Sequence, residues 1–330
     1  MKARVERYLN SVWYERETAP LWLRVLEPVY RLMTTSRRRP TAQKPPCPVI
    51  VVGNITAGGS GKTPVVAAVA RALLKSGHAP AVISRGYGGR VHKQPRAVTA
   101  TSNPADVGDE PVMLARRAGC AVWVCKDRLA ALDAARRGGA NVVIADDGLQ
   151  HARLPRSYEI CVVDGLRGLG NGRLLPAGPL RQAVDRLEEV DLVLLKQVGS
   201  DRTTLPVAAR PFAVEPGRPY VLGDEAETLA EENKPAEFDA VCAIGNPESF
   251  FTLLKALGYR FRRHAFPDHH RFVENDVQAL KGPLMVTEKD AVKLERIAGL
   301  PETWVLPIRA RLPSDALRSI EAHVREFELP

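Results

Sequence analysis

Val49-Ile50-Val51-Val52-Gly53-Asn54-Ile55-Thr56-Ala57-Gly58-Gly59-Ser60-Gly61-Lys62-Thr63 is the part of the chain from which the rest can be read. A β-branched run enters a glycine cluster, and a lysine and a threonine follow where a helix should begin. That is the layout of a phosphate-binding loop, in which backbone N–H groups and a helix N-terminus face an anion. Thr56, Ala57, Gly58, Gly59, Ser60 and Gly61 would cradle the phosphates, Lys62 would reach the outer ones, and the Thr63 hydroxyl would help hold Mg²⁺. The usual pattern has glycine where Thr56 stands, and the Gly58-Gly59 pair can supply the missing freedom instead. A glycine-rich turn with a surface lysine is the plainer alternative, but it leaves the strand, the GKT triplet and the helix that follows without a common purpose.

Around this loop the chain reads as α/β. Pro64 opens a helix where its missing N–H is no loss, and Val65, Val66, Val69, Ala70, Leu73 and Leu74 repeat at helical spacing as far as Gly77. Apolar runs at 81–83, 121–125, 141–145, 158–163 and 191–195 predict strands, with helical stretches between several of them. Near-continuous apolar strands alternating with helices indicate a mostly parallel sheet covered on both faces. Ligands bind such sheets beyond the C-terminal strand ends. Two stretches lie there: Ser84-Arg85-Gly86-Tyr87-Gly88-Gly89, where Arg85 could meet a phosphate, and Asp146-Asp147-Gly148-Leu149-Gln150-His151. An aspartate directly after an apolar strand, downstream of a phosphate loop, is where such enzymes hold Mg²⁺, so Asp146 and Asp147 are both metal candidates. Gly108-Asp109-Glu110-Pro111 precedes a helix at 112–118; alone it is a helix-start signal, but a kinase also needs a carboxylate beside the acceptor hydroxyl.

The outer parts are less regular. Of the formal charge of +9, five units sit in residues 1–40, which hold nine Lys/Arg and four Asp/Glu. Between Leu21 and Met33 the residues Arg24, Glu27, Pro28 and Arg31 fall on one narrow helical face and leave a broad apolar surface. Roughly 20 apolar residues are needed to span a bilayer, so this stretch is too short and too charged to cross. It suits the membrane interface, with Trp13, Tyr14, Trp22 and Tyr30 at headgroup level and Lys2, Arg4, Arg7, Arg37, Arg38 and Arg39 toward anionic lipid. A helix pair packed on the protein's own core is the alternative. No nucleic-acid-binding motif accompanies these charges, and nothing requires a protein partner. Five cysteines without a CxxC pair argue for a reducing, cytoplasmic setting.

Residues 41–210 are thus expected to form the phosphate-loop domain, 211–236 a hairpin linker around Pro216-Gly217-Arg218-Pro219, and 237–330 a smaller α/β domain. The smaller domain contains Phe266-Pro267-Asp268-His269-His270-Arg271-Phe272, in which metal ligation lacks a supporting ligand cluster and a polar loop is the plain reading.

The phosphate loop through Pro64, Ser84–Gly88, Gly108–Pro111, Asp146–His151 and Gly170-Asn171-Gly172-Arg173-Leu174-Leu175-Pro176-Ala177-Gly178-Pro179-Leu180-Arg181 together resemble the tetraacyldisaccharide 4'-kinases, the lipid A 4'-kinases of Gram-negative bacteria. The resemblance runs from the N-terminal amphipathic segment to Thr287-Glu288-Lys289-Asp290, and in that family a threonine at the Thr56 position is ordinary. It implies an ATP- and Mg²⁺-dependent enzyme that phosphorylates the 4'-hydroxyl of an acylated glucosamine disaccharide 1-phosphate. Such an enzyme would sit peripherally on the cytoplasmic face of the inner membrane. It also implies that Asp109 is the carboxylate at the sugar hydroxyl, paired across a cleft with His269, and that Lys62 serves the transferred phosphate. On the substrate side it places Arg85, Arg128, Gln150 and His151, with Asn171 and Arg181 at the lipid headgroup. The competing reading is a nucleotide-switched GTPase or ATPase acting on a partner protein. It expects a guanine-selecting motif where the chain reads Leu194-Leu195-Lys196-Gln197.

Overall fold

A computed structural model describes the chain except for residues 1, 17, 36–42, 91, 198–202, 230–236, 281 and 329–330, and the side chains of 2–4, 6, 7, 35 and 328. The basic side chains of Lys2, Arg4, Arg7, Arg37, Arg38 and Arg39, and the start of the proline-rich linker after them, therefore lie outside the described residues.

The larger sheet holds nine strands: β1 (Val49–Gly53), β2 (Pro80–Ser84), β3 (Arg96–Val98), β4 (Ala121–Val124), β5 (Val142–Asp146), β6 (Tyr158–Asp164), β7 (Leu192–Lys196), β8 (Arg210–Pro216) and the late strand Ile308–Arg311. The smaller holds β9 (Tyr220–Val221), β10 (Asp224–Thr228), β11 (Phe238–Cys242), β12 (Phe261–Ala265), β13 (Leu284–Thr287) and β14 (Thr303–Leu306); the late strand is β15. Their orders are β15-β8-β7-β6-β1-β5-β2-β4-β3 and β10-β9-β14-β13-β11-β12. Among the described residues eleven helices accompany them: α1 (Lys2–Tyr14), α2 (Leu21–Thr35), α3 (Lys62–Lys75), α4 (Pro104–Val107), α5 (Asp109–Arg117), α6 (Arg128–Arg137), α7 (Arg186–Glu189), α8 (Pro247–Ala256), α9 (Glu274–Gln278), α10 (Glu288–Leu294) and α11 (Ser314–Glu328).

β1 is central and parallel to both neighbours, β5 and β6. Its residues alternate between two cores. Ile50 and Val52 pack with Val66, Val69 and Leu73 of α3, whereas Val49 and Val51 pack with Ala131, Leu132 and Ala135 of α6. Burial on both faces is why the strand reads as a continuous apolar run.

Two expectations about organisation change. β8 and β9 do not pair with each other as a hairpin: β8 lies between β7 and β15 in the large sheet, while β9 lies between β14 and β10 in the small one. Pro-Gly-Arg-Pro looks like a local turn, but the strands on either side find distant partners. The chain also returns from the small sheet beside its point of departure, where Gly217 N donates to Pro307 O at 2.8 Å. Finally, residues 308–328 belong to the large domain, since β15 pairs antiparallel with β8 and Ala316, Ile320 and Val324 of α11 share the core of α3.

The N-terminal helices pack in part on the protein's own core and leave an apolar face of α2 exposed. Val12, Trp13, Ala19 and Leu23 form a small buried cluster with Ala177, and Trp13 Nε1 donates to Pro176 O at 3.0 Å. Of the four residues assigned to the polar face of α2, Glu27 turns inward, accepting from Leu174 N at 3.0 Å and pairing with Arg173 at 3.1 Å. Leu21, Trp22, Val25, Leu26, Val29, Leu32 and Met33 face solvent. No helix among the described residues is long and apolar enough to cross a membrane.

The loop after β2 acts as a support. Gly108 has φ 92°, and a Cβ on it would stand 2.6 Å from Tyr87 O, so the glycine-rich loop and the start of α5 touch backbone to backbone. Gly108→Ala should cost about 1–3 kcal/mol through overpacking and left-handed strain. The check is urea unfolding: an unchanged midpoint would contradict this packing.

Candidate active site

The phosphate loop, the acidic pair and His269 line one cleft of about 980 Å³, and the buried Asp109 lies against His269. The loop leaves β1 and enters α3 through Gly58 (φ 98°) and Gly61 (φ 82°), the latter capping the helix with no side chain of its own. Backbone N–H groups at the first turn of α3 are left for a ligand. The segment 179–181 braces the loop: Ala57 N donates to Pro179 O at 2.7 Å and Arg181 N to Ile55 O at 2.6 Å. Arg181 itself donates from Nε to Thr56 O at 3.0 Å, contacts Asn54 Oδ1, and grips Asp147 with both terminal nitrogens at 3.0 and 3.1 Å. Arg181 thus lines the cleft with its donors turned onto the loop and Asp147. Lys62 lies in the same cluster, 3.3 Å from Asn54 Oδ1 and 3.5 Å from Asp147 Oδ1.

The two adjacent aspartates separate. Burial, helped by Glu110 and Asp147, pushes the Asp146 carboxyl up to about 7 against the pull of Lys62 and Arg128. Burial acts the same way on Asp147, but Lys62 and Arg181 outweigh it and hold that carboxylate well below its ordinary range. Asp147 also takes a left-handed backbone (φ 50°), which a residue with a Cβ adopts only at some cost. Asp146 Oδ1 is buried without a hydrogen-bond partner. A buried carboxylate oxygen with no donor, next to a phosphate loop, fits a divalent cation. Among the described residues no cluster of three or more His, Cys, Asp or Glu could hold a metal alone. That suits Mg²⁺, which uses one or two carboxylates plus phosphate oxygens and water.

Arg85, Gln150 and His151 line the cleft. Gln150 is partly committed, donating to Asn54 O at 2.8 Å and to Gln182 Oε1 at 2.9 Å. Burial and the charges of Arg128 and Arg156 lower the basicity of His151. Arg128 is buried beneath the floor, donating to Ile83 O at 2.9 Å and Asp146 O at 2.7 Å, so it ties two strand ends together. Asn171 does not come to the cleft: its amide donates to Val12 O and Ala177 O, and its oxygen accepts from Arg173 N. It fastens the loop to α1.

Asp109, buried at the first turn of α5, lies 3.0 and 3.1 Å from Nδ1 of the cleft residue His269. The two residues are 160 positions apart in the chain. Burial raises the Asp109 carboxyl, but the hydrogen bond from His269 and the charges of Lys289, His269 and Lys293 bring it down to about 2. Burial opposes protonation of His269, the bond to Asp109 favours it, and the net shift is upward. His269 has φ 58°, and Tyr87 meets its ring edge-on at 4.8 Å. Thr287-Glu288-Lys289-Asp290, where the family resemblance ends, is used throughout. Thr287 caps α10. Glu288 pairs with Arg117 of α5 and accepts from Ile308 N at 2.9 Å. Lys289 bridges Glu110 and Asp268, and Asp290 accepts from Ala243 N at 3.0 Å. The signal was there to read, since the stretch follows an apolar strand as the Asp146 block does.

Comparison with known proteins places this arrangement. The profile of the tetraacyldisaccharide-1-P 4'-kinase family matches residues 19–325. The tetraacyldisaccharide 4'-kinase of Alkalilimnicola ehrlichii is 46% identical over 274 residues, covering 83% of this chain and 81% of that one. That of Alcanivorax borkumensis is 42% identical over 323 residues, covering 95% and 96%. The crystal structure of LpxK from Aquifex aeolicus in complex with ATP is similar at a TM-score of 0.70 with 25% identity, over 92% of this chain and 97% of that one. The chain belongs to the tetraacyldisaccharide-1-P 4'-kinase family.

Proposed function

We propose that this protein is an ATP-dependent kinase that transfers the γ-phosphoryl group to the 4'-hydroxyl of a tetraacyldisaccharide 1-phosphate. The observation that carries the reading is that His269, which holds Asp109, lines the same cleft as the phosphate loop. Backbone N–H groups around Gly58–Gly61 and the start of α3 receive the phosphates, and Lys62 follows the transferred one. Asp146 and Thr63, together with the phosphate oxygens, would hold Mg²⁺, which would supply neutralisation of the negative charge that builds up in transfer. Asp147 stays ionised and keeps Arg181 and Lys62 in register over the loop. Asp109 accepts the hydrogen bond of the acceptor O–H. As the sugar oxygen bonds to γ-phosphorus and the bond to the leaving β-phosphate oxygen breaks, the hydroxyl proton passes to Asp109. A carboxyl at about 2 is a weak base, which suits a loose transition state in which the proton leaves late.

The exposed apolar face of α2 supports a peripheral seat at the membrane, at the cytoplasmic face of the inner membrane, where an acylated substrate would be met. α2 is fastened to the loop 173–181 through Glu27 and Tyr30, and that loop braces the phosphate loop. A lipid-facing helix and the nucleotide site are therefore joined by a short chain of direct contacts.

Asp109→Ala should lower kcat for transfer of labelled γ-phosphate to a monophosphorylated lipid A precursor by about 10²- to 10⁴-fold, with ATP binding retained. Near-wild-type turnover would remove Asp109 from the mechanism. The pair also predicts a pH signature. The low carboxyl of Asp109 contributes stability above its unfolded value, near 3.9, and loses it as pH falls toward 2; the raised His269 contributes below about 6.5 and loses it as pH rises through its folded value. The melting-temperature deficit of His269→Gln should therefore be largest near about pH 5 and shrink by about pH 9; a flat difference would contradict the ion pair. For the membrane seat, Val25→Asp with Leu32→Asp should cut partition onto anionic phospholipid vesicles at least about tenfold without lowering the melting temperature. Unchanged partition would show that this face is not the contact.

A further inference from the structure

Lys289, the second residue of α10, has its side chain 12% exposed, and its ammonium has three near neighbours. It donates to Asp268 Oδ1 at 2.9 Å and to Glu110 Oε1 at 3.0 Å, and lies 3.3 Å from His269 Nε2. An ammonium has three hydrogens and no lone pair. Two hydrogens go to carboxylates, and the third can be received at Nε2 only if that nitrogen is bare. The ring hydrogen then belongs on Nδ1, which is the nitrogen 3.0 Å from Asp109 Oδ1. We propose that Lys289 is a positioning residue that fixes the tautomer of His269, so that Nδ1–H is always the group presented to Asp109. The proposal rests on the kinase reading of Asp109 given above.

The other charges around the ring show why a lock is needed. Asp268 Oδ2 lies 3.7 Å from Nε2 and would draw a hydrogen onto that nitrogen. With the hydrogen there, the Nδ1 lone pair would face the Asp109 carboxylate and repel it. Lys289 engages the same Asp268 carboxyl and points a hydrogen at Nε2, which favours the opposite tautomer. From the remaining elements Lys293 of α10 stands 3.8 Å from Asp109 Oδ2, and Tyr87 meets the ring edge-on. Lys289 and burial work against a second ring proton; Asp109 and Asp268 work for one. Removing the ammonium deletes one of the two opposing influences, so the ring should protonate at higher pH.

The test is nitrogen NMR on full-length protein with ¹⁵N-labelled histidine. The chain has 7 histidines, and His269 is assigned from the resonances lost in His269→Gln. About two pH units above its midpoint, wild-type His269 should show a protonated Nδ1 and a bare Nε2. In Lys289→Met the midpoint should move to higher pH and the tautomers should mix, with kcat falling at least about tenfold and the KM for ATP holding within about twofold. A wild-type hydrogen on Nε2 would overturn the proposal. So would a Lys289→Met protein with unchanged titration and tautomer, even one that turns over slowly, because the lysine would then serve packing alone. The wild-type spectrum decides the tautomer even if the variant does not fold. Since the spectrum is recorded without substrate, its failure would leave the phosphate-transfer assay to judge the kinase reading separately.

Discussion

The parallel pairing of β1 with β5 is the constraint on which the site depends. Its register sets Val52 against Asp146, so the strand that opens the phosphate loop and the strand that ends in the acidic pair finish side by side. Parallel strands buried on both faces cannot slip without moving Ile50 and Val52 out of one core and Val49 and Val51 out of the other. The distance between phosphate loop and acidic pair is therefore fixed by apolar packing, well away from the polar groups that use it. Arg128 repeats the constraint from below by holding carbonyls at the ends of β2 and β5.

Above that frame the cleft is a matter of charge pairing. Asp147 is neutralised by Lys62 and Arg181, Asp109 by His269 and Lys293, and Glu110 and Asp268 by Lys289. Asp146 is the exception, since its Oδ1 has no donor and burial raises its affinity for a proton. In a cleft where the other acids are ion-paired, the carboxyl whose Oδ1 lacks a donor marks where a further positive charge belongs.

What could be read from the sequence was what lies within a short window. The phosphate loop, the acidic block after β5 and the Gly-Asp-Glu-Pro start of α5 each declare their chemistry in a few neighbouring residues. The pairing of His269 with Asp109 was suggested only by family resemblance, since no local pattern links residues 160 apart. Asn171 and Arg181 show the converse: both are polar residues in a glycine- and proline-rich loop, and whether their donors face a ligand or a backbone is settled by tertiary contacts. The hairpin expected at Pro216–Pro219 failed for the same reason, because strand partners come from the sheet and turn residues report only the bend. Lys289 shares the positional signal of its stretch, directly after an apolar strand, but its partners do not show locally, as they are Glu110 from α5 and Asp268 from another loop.

The return of the chain through β15 and α11 makes the small sheet an insert between two neighbouring strands of the large one. Entry and exit lie side by side at Gly217 and Pro307. The final segment covers the helix that begins with Lys62, since Ala316, Ile320 and Val324 fill the core beneath α3. Damage to the C-terminal end of this chain would accordingly be felt as a defect in holding nucleotide, although some 250 residues separate Lys62 from α11.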